Sequence, residues 1–178
     1  TGVLLDNFSI RGNTGMPMTS VKRAMFKAFD KEMKYDLIIL QFGLNVLGQK
    51  NNYKWYQKRI KNVINHIKAS LPNSSVLIIS VPDKSSKNED GEMVTDLSVP
   101  LIVEAQREAA RETEVSFFNL YEAMGGENSM VNWVEELNYA NKDYTHFNYK
   151  GAKYAANLLV DFLIKEYEVF KKDTNAKD

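Results

Sequence analysis

The chain has 178 residues, 44% of them hydrophobic, with Lys+Arg and Asp+Glu equal at 23 each and mixed along its length. That size and composition fit one compact domain with one core, and the balanced charge provides no field to gather nucleic acid or an anionic membrane. Cysteine is absent, which excludes disulfides, thiol catalysis and thiolate metal sites, and apolar runs such as Leu37 to Leu40 and Val76 to Val81 fall far short of the ~20 residues that span a bilayer.

The chain opens on Thr1-Gly2 and runs at once into Val3-Leu4-Leu5, with no initiator Met and no charged-then-apolar leader, so it reads as a piece of a longer precursor. Residues 2–8 predict a first strand. Met18 to Met33 places Val21, Met25, Ala28 and Phe29 near the spacing that gives a helix one buried stripe. A second strand follows over 36–41, then a helix from Asn52 to Ser70 with Tyr56, Ile60, Val63, Ile64 and Ile67 on one face, stopped by Leu71-Pro72-Asn73. The third strand is 75–81, and Asp83 to Asp96, rich in Lys, Ser, Asp and Glu, reads as a surface loop. Pro100 suits the first turn of a third helix, with Ile102, Ala105, Gln106 and Ala109 on one face. A fourth strand over 115–119 leads to Gly125-Gly126, a short amphipathic segment from Ser129 to Leu137, and a last helix from about Asn148 to Phe170 before a frayed tail.

Apolar β-rich runs alternating with longer helical segments predict an α/β fold, a three-layer αβα sandwich with a mostly parallel, flavodoxin-like sheet. In such sheets ligands bind beyond the carboxyl ends of the strands. Three polar segments fall there: Asn7 to Gly15, Gln41 to Asn45, and Asp143 to His146. An Asp three residues before a His can set its carboxylate against Nδ1 and leave Nε2 free to take a proton; the same spacing also serves an aspartate that caps a turn beside an ordinary polar histidine. Gly43 permits a tight turn and the Asn45 amide can donate to a developing oxyanion, while Gly12 can expose its backbone N–H as a second donor; each also fits a purely structural turn. His66, mid-helix between Ile64 and Ile67 with no second ligand nearby, suits a packed or solvated role, and no metal site is supported.

Taken together and in order, SIRG, FGLN and DYTHFNYKGA resemble the second, third and fifth blocks of the SGNH/GDSL-type serine esterases. The last is the most specific, with Asp143, His146, Asn148 and Gly151 in the family's D-x-x-H-x-N-x-x-G arrangement and Phe147 where proline is common. Val46 departs from the family's usual G-x-N-D. The segments LIILQFGLN, NYKWY, AMGGENSM and DYTHFNYKGA look most like exported bacterial members acting on O-acylated glycans. The resemblance implies residues 1–172 as an SGNH hydrolase domain, with 173–178 as a tail, and Gly125 to Trp133 either beside His146 or as helix-face core around Met130 and Trp133.

The family's first block, the G-D-S strand that carries the nucleophile, is absent from the chain. Ser9 can be read as a degraded first block, but that leaves no room for a second strand before Gly43; the preferred reading puts Ser9 in block two and the serine upstream of Thr1. The resemblance thus implies hydrolysis of a carboxylic ester, an O-acetyl group on a carbohydrate: an upstream Ser attacks, His146 is the base, Asp143 orients it, Gly12 and Asn45 hold the oxyanion, and no cofactor is needed. The expected partners are an acylated carbohydrate or other small ester and the upstream segment of the same precursor, and the expected location is extracytoplasmic. A non-catalytic glycan-binding or scaffold domain that kept the fold is the alternative. A flavodoxin-type phosphate site on the Gly12 to Gly15 loop is a third reading, disfavoured because the loop lacks a Lys.

Overall fold

The computed structural model describes residues 2–9, 12–48 and 52–175. Its centre is a parallel sheet of β1 (Leu37–Gln41), β2 (Ser75–Ile79) and β5 (Ser116–Phe118), in the order β1-β2-β5. Leu37 pairs with Ser75 and Leu77 with Ser116. Successive side chains alternate faces. Leu40, Val76 and Ile78 therefore join the core formed with α2 (Lys54–Ser70) and α3 (Ser98–Thr113), where Tyr56, Ile64, Val99 and Ile102 are fully buried. Leu77, Ile79 and Phe118 face the other way and pack with Met130 and Trp133 of α5 (Ser129–Glu135) and with Leu158, Leu159 and Phe162 of α6 (Tyr149–Asn175). The central strand β2 is covered on both sides, as a central parallel strand requires, and the expected αβα layering is what forms.

Local chemistry accounts for the helix limits. Pro100 lies in the first turn of α3, where a missing N–H costs no intrahelical bond. The helix after the first polar segment is broken in two, a 3₁₀ turn at Met16–Ser20 and α1 at Arg23–Met33. A short α4 (Leu120–Met124), not expected, is nucleated by Asn119, whose side chain accepts the Glu122 N–H. The last helix continues to Asn175, past the expected end near Phe170, because Lys171 and Lys172 are good helix formers; residues 176–178 of the expected tail lie outside the described residues.

Two expectations fail. Residues 83–96 are not simply a loop: β3 (Ser85–Lys87) and β4 (Met93–Thr95) form an antiparallel hairpin. Its tip is closed by Asn88 Oδ1, which accepts the N–H groups of Asp90 and Glu92, with Gly91 at φ +84°. The polar composition belongs to the tip, whereas Asp83, Ser85 and Thr95 are buried. The second failure is residues 2–8, which form no strand. A strand needs a hydrogen-bonded neighbour, and none of the sheet pairings reaches this segment. It lies against α1 and the turn that follows it, with Tyr35 Oη donating to Asp6 at 3.0 Å and the Phe8 ring edge-on to Phe29 and Tyr35. Val3 and Leu4 are more than nine-tenths exposed, and on β1 itself Leu37 and Ile39 are open. Among the described residues no helix is long and apolar enough to cross a membrane.

Candidate active site at the carboxyl end of the sheet

Asp143 and His146 are joined directly. The His146 Nδ1 lies 2.8 Å from Asp143 Oδ2, while the N–H groups of Thr145 and His146 both donate to Asp143 Oδ1 at 2.9 Å. One carboxylate thus shapes the turn and orients the ring, so the capping and ring-orienting readings of this spacing hold together. Partial burial works to raise the Asp143 carboxyl, but the His146 N–H, the His146 ring and the Thr145 N–H outweigh it and hold the group below its ordinary value. The histidine side chain is 72% exposed, and among the described residues nothing hydrogen-bonds its Nε2.

The residues after His146 show why the motif has its spacing. Asn148 caps α6, its Oδ1 accepting the Gly151 N–H at 3.1 Å while its Nδ2 donates to the Asn138 carbonyl. Gly151 lies so close to the Tyr139 carbonyl that any Cβ there would collide with it. Phe147 stacks 5.0 Å from the Trp133 ring. Met130 and Trp133 are buried, so the Gly125 to Trp133 stretch supplies core and, through Trp133, a floor beneath the histidine loop.

The second cluster follows β1. Gly43 has φ +131°, and a Cβ there would come within 2.6 Å of Val81 Cγ1; no other residue fits this turn. Val46, which replaces the family's usual Asp, is 3% exposed and anchors the loop in the core. Asn45 Nδ2 donates to the Asn13 carbonyl at 3.2 Å, which ties this loop to the one carrying Gly12, itself exposed at φ +68°. Ile10 and Arg11 of the SIRG segment lie outside the described residues.

Sequence reasoning placed Gln106 only on a helix face. The structure shows a buried clamp: its Nε2 donates to the Phe42 carbonyl at 2.6 Å and its Oε1 accepts the Val81 N–H at 2.9 Å, locking the turn after β1 to the chain leaving β2. The Tyr56 hydroxyl joins the same knot, and burial pushes its pKa up to about 12. A buried amide on an otherwise apolar helix face was the available signal. His66 is packed, its Nε2 2.8 Å from the Val21 carbonyl and its ring edge-on to Phe26.

The Asp143–His146 pair and the Asn45–Asn13 pair are each assembled, and among the described residues no hydrogen bond joins one to the other. Nor does any join Ser9 to His146; the Ser9 N–H instead donates to Asn7 Oδ1 within its own exposed segment. No group of three or more His, Asp or Glu among the described residues is arranged as metal ligands would be.

An open parallel sheet between helix layers, with a carboxylate-oriented histidine beyond its strand ends, defines the class: an α/β domain built like an acyl hydrolase. The particular family follows from sequence, since residues 2–154 match the GDSL-like lipase/acylhydrolase family, to which the chain belongs. Among solved structures it is similar to a peptidoglycan O-acetylesterase, with 25% identity and a TM-score of 0.76 over 89% of this chain and 45% of that one. The esterase EstA of a Pseudoalteromonas species shares the fold at 13% identity and TM-score 0.64, over 93% of this chain and 79% of that one. So does a carbohydrate esterase family 3 member from Talaromyces cellulolyticus, at 16% identity and TM-score 0.57, over 88% and 69%. The chain therefore spans less than half the length of the O-acetylesterase it resembles. No curated protein sequence matches it.

Proposed function

We propose that the chain is the base-bearing part of a serine esterase that removes O-acetyl groups from a carbohydrate. The observation that carries this reading is the 2.8 Å contact of His146 Nδ1 with Asp143 Oδ2, which leaves Nε2 exposed beyond the sheet. In this mechanism Nε2 takes the proton of an attacking serine hydroxyl, Asp143 holds the tautomer and steadies the imidazolium, and the proton then passes to the departing sugar oxygen. Water attacks the acetyl-enzyme in the same way and releases acetate. The Asn45 amide and the Gly12 N–H hold the oxyanion; their shared tether through Asn13 supports that pairing.

The serine comes from a segment preceding Thr1 in a longer precursor. Support lies in the outer edge of β1, which pairs with no strand among the described residues, residues 2–9 included. The likeness to a peptidoglycan O-acetylesterase supports an O-acetylated glycan as substrate, and with it a location outside the cytoplasmic membrane.

The test is to express the chain with its natural preceding sequence and treat it with an alkyl fluorophosphonate. A single labelled serine upstream of Thr1, with labelling lost in His146→Ala, is the expected result. Absence of labelling with retained glycan binding would make the domain a non-catalytic binding module, and labelling at Ser9 would move the nucleophile into this chain.

A further inference from the structure

Asp83 leaves β2 and is completely buried, yet it has no cationic partner among the described residues. Four donors surround it instead. Oδ2 accepts from the Met130 N–H at 2.8 Å, Thr95 Oγ1 at 3.1 Å and Ser129 Oγ at 3.4 Å, and Oδ1 accepts from the Lys84 N–H at 2.9 Å. A buried carboxylate without a counter-charge is costly unless its oxygens are well satisfied. Burial still raises its carboxyl above the ordinary value against the pull of those bonds. Ester hydrolysis as derived above makes no use of this group.

The elements Asp83 joins are those that carry the histidine loop. Thr95, at the end of β4, donates to Asp83, accepts the Asn128 N–H at 2.7 Å, and sends its own N–H to Asn128 Oδ1. The hairpin and the start of α5 are therefore laced together around one carboxylate. From the hairpin, the Ser85 N–H donates to the Tyr144 carbonyl at 3.0 Å. From α5, Glu135 accepts the Tyr144 hydroxyl at 2.8 Å and Trp133 stacks on Phe147. Tyr144 sits between Asp143 and His146 with φ +52°, a conformation a tyrosine keeps only when its surroundings hold it. The loop is gripped from two sides, and both grips lead back to Asp83.

The geometry points to Asp83 as the positioning residue of the Asp143–His146 pair, fixing the hairpin and α5 so that the loop between them holds its turn. The inference rests on the assignment of His146 as the base, but its test reads loop geometry and not turnover, so either can fail without the other.

In the full chain, Asp83→Asn puts an amide NH₂ among donors. Amide exchange at Tyr144, Thr145 and His146 should rise by about tenfold or more, the effect of losing a buried hydrogen bond, while amides in the middle of α2 keep their protection. The ¹³Cγ titration of Asp143 should move up toward the ordinary carboxylate value. Thr95→Val, which deletes only the hydroxyl between Asp83 and Asn128, should give the same local pattern, and it decides the matter if Asp83→Asn does not fold. Ser85→Ala keeps the N–H that holds Tyr144 and removes a hydroxyl that has no hydrogen-bond partner among the described residues, so it should leave the loop unchanged. Equal acceleration of exchange in α2 and in the loop, or an unmoved Asp143 titration in a folded variant, would make Asp83 an ordinary core group and overturn the inference.

Discussion

The two sides of the sheet's central strand are finished to different degrees. From β2 outward to β5, with α2, α3, α5 and α6 on the two faces, side chains such as Ile64, Leu77, Ile102 and Met130 are at most 1% exposed. From β1 outward, Leu37 and Ile39 are over a third exposed, α1 buries none of its residues, and residues 2–9 pair with nothing in the sheet. The candidate site straddles this division. Asp143 and His146 sit on the finished side, held by a capped helix, a nearby tryptophan ring and a hairpin, whereas Asn45 and Gly12 sit on the open side, where one hydrogen bond at 3.2 Å ties Asn45 to Asn13, the residue after Gly12. A base must be fixed in orientation, and the finished side supplies that by itself; an oxyanion hole must be aligned on a nucleophile, and the open side is where a nucleophile strand would enter.

The sharpest test of the finished side is His146→Ala in the protein expressed with its natural preceding sequence. Hydrolysis of an aryl acetate should fall by at least ~10³-fold, and a variant that keeps wild-type turnover would remove the base assignment. On the open side, Asn45→Ala should lower kcat by ~10²-fold with KM little changed, because the amide matters more to the tetrahedral intermediate than to bound ester. A change confined to KM would make Asn45 a substrate-binding residue.

How much of this division was legible beforehand differs from element to element. The strands around Leu37–Gln41 and Ser75–Ile79 and the crossover helices declared themselves through periodicity, because burial on one stripe or both faces leaves a direct mark on composition. Asp143, His146, Asn148 and Gly151 were legible as a spacing, and the structure gives each a physical task. The hairpin at 85–95 was not legible, since its strands have three residues each and its tip dominates the composition. Nor was the failure of residues 2–8 to form a strand, for Val3-Leu4-Leu5 has strand-like residues and pairing depends on a neighbour, which no local pattern encodes. Gln106 and Asp83 escaped for a related reason: their partners lie far along the chain.

Two isoleucines measure the packing contrast. Ile64→Ala in α2 should cost about 2–5 kcal/mol in urea unfolding, as for a fully buried aliphatic side chain, and Ile39→Ala on β1 less than ~1 kcal/mol, as for a partly exposed one. Addition of the upstream segment should enlarge the Ile39 effect and leave the Ile64 effect where it is; equal losses in the chain alone would erase the distinction between the two sides.

The smallest effect concerns acid. The Asp143 carboxyl is held below its ordinary value, so its contribution to stability is complete above the unfolded-state value and is lost as pH falls through the lower folded-state one. Half exposure of the side chain keeps that contribution modest. Asp83, raised by burial, acts with the opposite sign: the fold gains stability as pH drops through its folded-state value toward the ordinary carboxylate one. Thermal midpoints followed through the acid range should show Asp143→Asn flattening the most acidic part of the curve, and an unchanged slope there would mean that the ion pair carries no linkage.

The open edge of β1 also bears on how the chain behaves as a solute. Leu37-Ile38-Ile39-Leu40-Gln41 contains no charge, no proline and no glycine, and among the described residues its outer backbone groups have no strand beside them. An unprotected edge of that composition is a template for another copy of itself. Handled without an occupant for that edge, the chain should aggregate in a concentration-dependent way through this strand. A single lysine at Ile39, which faces outward and lines no part of the candidate site, would suppress this more effectively than charges added anywhere on the well-covered side.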